Sequence, residues 1–232
     1  MRIASTLSLV VLLPLVACDG KKSDSLEAGG LPKATIAEPQ APQTSAGAPH
    51  TFSNDGSTIR YVGKKVTGAH TGDFQRFTGE VKLGADPASS SVAVTIDMGS
   101  VTSDSEKLTG HLKSPDFFDT AQFPTATFQS SSVVAGGAGG SHTVSGVMDL
   151  HGVKKQLTFP ATIAAAGDTV TVNAAFSFNR KAFGINYPGK ANDLISDDVE
   201  LTLAVVAKKA VAAVPATPDA AAAPTPTPTP EQ

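Results

Sequence analysis

Between residues 58 and 207 the chain is written in period two. Ile59 and Tyr61 lie opposite Arg60, and Phe77, Gly79, Val81 and Leu83 lie opposite Thr78, Glu80 and Lys82. Val92, Val94 and Ile96 alternate with Ala93, Thr95 and Asp97, and the rhythm returns in Val144, Met148 and Leu150. It continues through Leu157, Phe159, Ala161 and Ile163, then Val170, Val172, Ala174, Phe176 and Phe178, and ends with Val199, Leu201, Leu203 and Val205. Successive side chains of a strand point to opposite faces, so each run reads as a strand with one face covered. Eight strands are expected, at 58–66, 72–83, 91–98, 125–130, 143–150, 153–163, 170–178 and 199–207. Most links between them are short, and no helix of about ten residues or more recurs, which excludes βαβ packing and favours an antiparallel meander. The expected class is all-β, as an eight-stranded antiparallel β-barrel. A two-sheet sandwich is the alternative, because alternation does not distinguish a closed sheet from two facing ones.

One stretch breaks the rhythm. From His111 to Phe128 two prolines and two aspartates cut the backbone into turns, yet Phe117, Phe118, Phe123 and Phe128 fall within it. That much aromatic surface on an irregular backbone has to be buried by something else. It is expected to form a short helical and aromatic segment closing one end of the sheet. Pro124 biases Phe123 toward extended geometry, as the lead-in to the strand at 125–130.

The two ends have a different texture. Met1-Arg2 precedes an apolar run ending Leu15-Val16-Ala17-Cys18, the pattern of an export signal and too short for a spanning helix. Leu15-Val16-Ala17-Cys18 resembles a bacterial lipobox, so residues 1–17 are expected to be a signal peptide and Cys18 the lipidated first residue of the mature chain. An uncleaved anchor and a simple secreted protein are the alternatives. Asp19 resembles an inner-membrane retention signal of Gram-negative lipoproteins, which favours the periplasmic face of the inner membrane over the outer membrane in the cell envelope. Residues 18–49, with scattered Gly and Pro and no lasting period, are expected to be a disordered tether. Residues 208–232, ending in Thr-Pro repeats, are expected to be a disordered tail.

Catalytic machinery is thin. The formal net charge is −3 and no basic cluster exceeds a Lys pair, so nothing argues for nucleic acid. The five histidines, His50, His70, His111, His142 and His151, have no paired-ligand spacing, and no metal site or cofactor is expected. No GxSxG elbow, CxxC or phosphate loop is present. Asp116 and Asp119 flank Phe117-Phe118 and are read as turn caps rather than an acid–base pair. On periodicity alone, the apolar faces of the strands fit a solid core as well as a ligand cavity.

Several segments, in order, resemble the YceI-like, polyisoprenoid-binding family of bacterial periplasmic proteins. They are Phe74-Gln75-Arg76-Phe77-Thr78-Gly79-Glu80, the run from Leu108 to Asp119, Phe123-Pro124-Thr125-Ala126-Thr127-Phe128, the run from Val144 to Lys155, Phe178-Asn179-Arg180-Lys181-Ala182-Phe183-Gly184-Ile185, and Ile195-Ser196-Asp197-Asp198-Val199-Glu200-Leu201. The resemblance spans residues 50–207 and implies a lipocalin-like barrel with an apolar cavity that takes up an isoprenoid chain, a polyprenyl phosphate or a quinone-like molecule, without catalysis. Phe117, Phe118, Phe123, Phe128, Phe183 and Ile185 match the family's aromatic segments. With Phe159 and Phe176 from the strands, they are the residues expected to line or close the cavity. Asn179 and Arg180 match a polar pair, expected either to meet a head group or to fix a loop. The chain departs from relatives in lacking their usual His-Ser pair before the first strand, with His70 displaced into a small insertion. The expected partners are thus a lipid ligand and, through Cys18, a membrane. A homodimer has no marked face in the sequence. The competing reading is a structural or stress-related surface lipoprotein with a packed barrel and no ligand.

Overall fold

A computed structural model describes residues 30–210. The expected signal peptide, Cys18, Asp19 and the Thr-Pro tail lie outside the described residues. Twelve strands and one α-helix follow in order: β1 (Thr35–Ala37), β2 (Pro49–Ser53), β3 (Thr58–Lys65), β4 (Gly68–Asp73), β5 (Phe77–Lys82), β6 (Ser91–Asp97), α1 (Glu106–Lys113), β7 (Thr125–Ala135), β8 (His142–Leu150), β9 (Val153–Ala166), β10 (Thr169–Asn179), β11 (Gly189–Lys190) and β12 (Asp193–Lys209). β9, β8, β7, β6, β5, β2 and β12 are neighbours in that order, and β10 pairs with both β12 and β9. The sheet therefore closes on itself, as an eight-stranded antiparallel barrel with small peripheral strands.

Two of the eight positions are filled by bent strands. β2 and β3 both pair with β12, through His50 and Thr51 at its far end and Thr58 to Gly63 nearer its start. β5 and β4 follow them, β5 against β2 and β4 against β3. The expected strand at 58–66 is thus one limb of a longer, broken strand, and the one at 72–83 straddles the break between β4 and β5. The first breaks at Asn54-Asp55-Gly56, where Gly56 has φ +84°, a conformation that suits glycine. β12 runs well upstream of its expected start at 199, with a register shift between Ile195 and Val199 that interrupts the alternation. β8 and β9 are joined by a two-residue hairpin, with φ of 54° at His151 and 73° at Gly152, the twist that closes a tight antiparallel turn.

The expectation of a tether reaching residue 49 is corrected for residues 30–49. β10 pairs with β9 only from Thr169 to Asn173, and beyond that point the two strands part. The N-terminal segment fills the seam. Ile36 of β1 lies opposite Leu157 of β9, while Ala34 N donates to Ser177 O at 2.7 Å and Ser177 N to Pro32 O at 2.9 Å on β10. An open seam would leave backbone groups unpaired, and covering them outweighs the ordering entropy of a few residues.

Inside, the covered faces of the strands meet. Phe159 and Phe176 stack with ring centroids 4.2 Å apart and planes 14° apart, and Phe128 tilts onto Phe159 at 5.6 Å. Gly146 gives Phe128 its place, since a Cβ there would lie 2.3 Å from the ring. Among the described residues no helix is long and apolar enough to cross a membrane.

Candidate functional site

One end of the barrel is covered by α1 and the turns that follow it. Ser105 caps the helix, accepting from Leu108 N, and Leu112 is buried against the barrel. Ser114 Oγ donates to His111 O at 2.7 Å at the C-terminus, just before Pro115 ends the helix. The chain then folds back, with Phe118 N donating to Leu112 O and Thr120 N to Lys113 O, both at 3.1 Å. This return lays Phe117 and Phe118 across the opening. Phe117, His111 and Tyr187 form a three-ring cluster with centroids 4.9 to 5.1 Å apart. His111 Nε2 donates to Asp116 Oδ2 at 2.9 Å, so Asp116 orients a mouth histidine and does not pair with Asp119.

Beneath the lid three cavities lie in series. The mouth, about 470 Å³, is bordered by Lys64, Lys65, Lys107, Lys190, His70 and His111. It shares Tyr61, Leu112, Phe117 and Ile195 with an inner cavity of about 110 Å³. That cavity shares Ile96, Met148, Phe178 and Leu201 with a deeper one of about 80 Å³, lined only by apolar side chains. Cavities with such walls stay dry, because a water inside finds no hydrogen-bond partners. Left empty, they forfeit packing at about 24 cal/mol per Å³, or roughly 2–3 kcal/mol for the larger inner cavity and about 2 kcal/mol for the deeper one.

Six of the expected lining residues are brought together. Phe117, Phe118 and Ile185 border the inner cavity, and Phe128, Phe159 and Phe176 the deep one. Phe123 and Phe183 border neither of these. Phe123 packs on His151 at 4.6 Å, and Phe183 is fully buried edge-on against Phe178 at 5.7 Å. Sequence reasoning missed Tyr61, Phe74 and Tyr187. Tyr61 carried the alternation signal, but Tyr187 sits in an irregular segment where only contact reveals it.

The polar pair separates into two roles. Asn179 Oδ1 accepts from Lys181 N at 2.9 Å, capping a short 3-10 turn, Arg180–Phe183, and Asn179 does not border the cavities. Arg180 does border the inner cavity and is only 3 % exposed. Its Nε donates to Ser196 O at 3.0 Å and its Nη1 to Ile185 O at 2.7 Å. Its Nη2 has no partner and stands 3.9 Å from Asp197 Oδ1. Burial lowers the guanidinium's pKa from its ordinary value, opposed by Asp197, yet an arginine remains charged. Tyr61, its hydroxyl donating to Thr102 O at 2.8 Å, has its pKa pushed up to about 12, chiefly by burial, so it is neutral and neither base nor nucleophile. Among the described residues no three metal-ligating side chains converge.

Carboxylates tie the outer shell together. Arg76 holds Asp97, His70 holds Asp104, Lys65 holds Asp193 and Lys181 holds Asp197, each by a hydrogen bond that is the leading cause of a pKa below the usual carboxylate value. Asp193 also accepts from Thr67 N and Oγ1, pinning the β3–β4 turn to β12. For a lowered folded pKa, the stabilisation is complete above the unfolded value of about 4 and is lost as pH falls through the folded one. The melting temperature is therefore expected to be independent of pH, as far as these groups are concerned, between about pH 7 and 5, where their stabilisation is complete, and to fall below about pH 4. Asp193→Asn should make that acid-side fall shallower in thermal scans at a series of pH values, and an unchanged slope would contradict the assignment.

The family model described as the YceI-like domain matches residues 50–207. A UPF0312 protein of Pseudomonas putida strain F1 is 31 % identical over 137 residues, which cover 56 % of this chain and 71 % of that protein. Among solved structures, Burkholderia cenocepacia BcnA superposes with a TM-score of 0.62 at 28 % identity, over 68 % of this chain and 99 % of that one. A polyisoprenoid binding domain from Saccharophagus degradans superposes at 0.53 with 17 % identity, over 70 % of this chain and 99 % of that one, a likeness of fold.

Proposed function

Because the chain belongs to the YceI-like family, we propose that its barrel binds and carries an amphiphile of the isoprenoid type, a polyprenyl phosphate or a quinone-like lipid, without chemically changing it. The observation that carries this reading is the series of dry apolar cavities opening at one basic, histidine-bearing mouth. A hydrocarbon tail occupies the inner cavities and the polar head points toward the mouth. The Saccharophagus degradans domain, described as polyisoprenoid binding, supports the ligand class. Removing ~400 Å² of apolar ligand surface from water contributes roughly 10 kcal/mol, and lost freedom on association takes back much of it. The affinity expected is micromolar to nanomolar.

Native mass spectrometry of protein purified from its own membranes tests the reading. The expected spectrum carries the mass of an isoprenoid-type lipid on the intact barrel. A barrel that emerges empty and takes up no isoprenoid from mixed micelles would leave a tethered structural body in its place.

The setting proposed for this activity is the bacterial cell envelope on the periplasmic side, anchored through acyl chains on Cys18. A single acyl chain holds only reversibly, so anchoring of this kind needs more than one. Cys18→Ser is expected to move the protein from the membrane pellet to the soluble fraction on cell fractionation. Retention of the variant in the pellet would argue against lipidation at that residue.

A further inference from the structure

Two exposed apolar side chains stand side by side at the mouth. Val66 is 73 % exposed and Leu194 52 %. Val66 lies in the turn between β3 and β4, and Leu194 in the hairpin of β11 and β12. Val66 N donates to Leu194 O at 3.1 Å, which fixes the two tips together. Their chain neighbours Lys65, Asp193 and Ile195 border the mouth, while the apolar side chains themselves stand outside it in solvent. A single exposed valine or leucine needs no explanation. A fixed pair beside the opening of an apolar cavity, flanked by lysines, does.

Four lysines border the mouth against one carboxylate, Asp193. Lys65 takes Asp193 at 2.7 Å, Lys64 pairs with Glu200, and Asp104 is held by His70 at 2.8 Å. Lys107 and Lys190 are exposed and, among the described residues, have no carboxylate partner. Glu106, the neighbour of Lys107, does not border the mouth. The rim therefore carries surplus positive charge around two apolar tips. We propose that this end of the barrel docks on the surface of an anionic lipid bilayer. Val66 and Leu194 enter the headgroup boundary, and Lys107 and Lys190 face lipid phosphates. Two side chains fall far short of the roughly 1,000 Å² that a stable protein partner needs. A bilayer accepts a shallow apolar tip, and each lysine near its surface strengthens partition about fivefold. On the carrier reading, docking lets a lipid tail reach the mouth without crossing water. The docking itself is argued from the rim and is tested without cargo.

The chain has no tryptophan, so Val66→Trp supplies a single reporter. Its emission moves to the blue, and brominated acyl chains quench it, once it enters a bilayer. Val134→Trp replaces another exposed valine and controls for the indole's own preference for interfaces. Ala126 borders the inner cavity and Phe128 the deep one, so Val134, further along β7, is at the other end of the barrel. Both variants are made in the full chain carrying Cys18→Ser, which keeps acyl attachment out of the measurement. They are titrated with vesicles of equal phosphatidylglycerol and phosphatidylcholine, or of phosphatidylcholine alone. The reporter at position 66 should partition at least about tenfold more strongly into the anionic vesicles, and the one at position 134 should stay in water. Lys107→Ala with Lys190→Ala should weaken that partition roughly twentyfold. Raising the salt from about 0.1 M to about 1 M shortens the screening length from about 10 Å to about 3 Å and should do the same. Leu194→Ser should cost roughly tenfold while keeping the preference for anionic vesicles. Equal responses at positions 66 and 134, or an anionic preference undiminished by loss of both lysines, would overturn the proposal. So would a blue shift at position 66 that grows with protein concentration in the absence of vesicles, which would assign the tips to a second copy of the chain. The carrier reading is decided separately, by the lipid mass found in the barrel.

Discussion

Leu201→Trp should all but eliminate lipid binding, raising the dissociation constant for phytol roughly a hundredfold, or about 2.7 kcal/mol. Leu201 borders both inner cavities and lies on β12 between Phe176 of β10 and Tyr61 of β3. An indole at this position has nowhere to go but the space a tail would use. Overfilling a core usually costs about 1–3 kcal/mol in strain, but here the extra atoms enter an existing void, so the loss of stability should fall at or below the lower end. Thr202→Trp is the matching control, since Thr202 is exposed on the outer face of the same strand. It places the same indole outside the barrel and should leave binding intact. Calorimetry with phytol reads both variants. Full binding by a folded Leu201→Trp protein would show that ligand, if any, is held elsewhere.

The largest effect on stability is expected from Phe176→Ala. Phe176 is 1 % exposed, stacks on Phe159 at 4.2 Å and meets Phe178 at 6.5 Å. Truncation opens a ring-sized hole beside a cavity that already exists, so the walls have little to collapse onto. The loss should be about 3–5 kcal/mol, which for a barrel of this size lowers the melting temperature by about 10 °C or more. Differential scanning calorimetry measures it. A shift of only a degree or two would mean the stack is not part of the rigid core.

Much of the barrel was legible because one covered face forces period two on every strand. Ile59, Val81, Val144, Leu157, Phe159, Val170 and Phe176 are all buried as the alternation requires. What escaped were elements held by backbone rather than by side chains. β1 contains a single large apolar residue, Ile36, and its order comes from carbonyls and amides offered by the parted β9 and β10. No hydropathy pattern encodes that. The first limb of the bent strand, β2, was lost for a similar reason, as Pro49-His50-Thr51-Phe52-Ser53 is too short and mixed to announce a strand.

The candidate site was half legible. Phenylalanines on strands reached the interior because the alternation fixes which way they point. Those in turns divided by local geometry that sequence does not reveal, so that Phe117 covers the mouth while Phe123 turns away onto His151. Asn179 and Arg180, adjacent in the chain, parted because the short turn at Arg180–Phe183 needs a cap and a clamp at once. The mouth lysines come from β3, α1 and β11, and only barrel closure makes them neighbours.

The two dry cavities have a consequence for the lifetime of the protein. A barrel with nothing in them opens more readily than a filled one, since any molecule that binds only the folded state lowers the population of the unfolded one. Cellular proteases draw on that open population. On the proposed carrier role, a barrel that meets no cargo is expected to be degraded sooner than a loaded one, so that its standing level would follow the supply of lipid without any dedicated sensor.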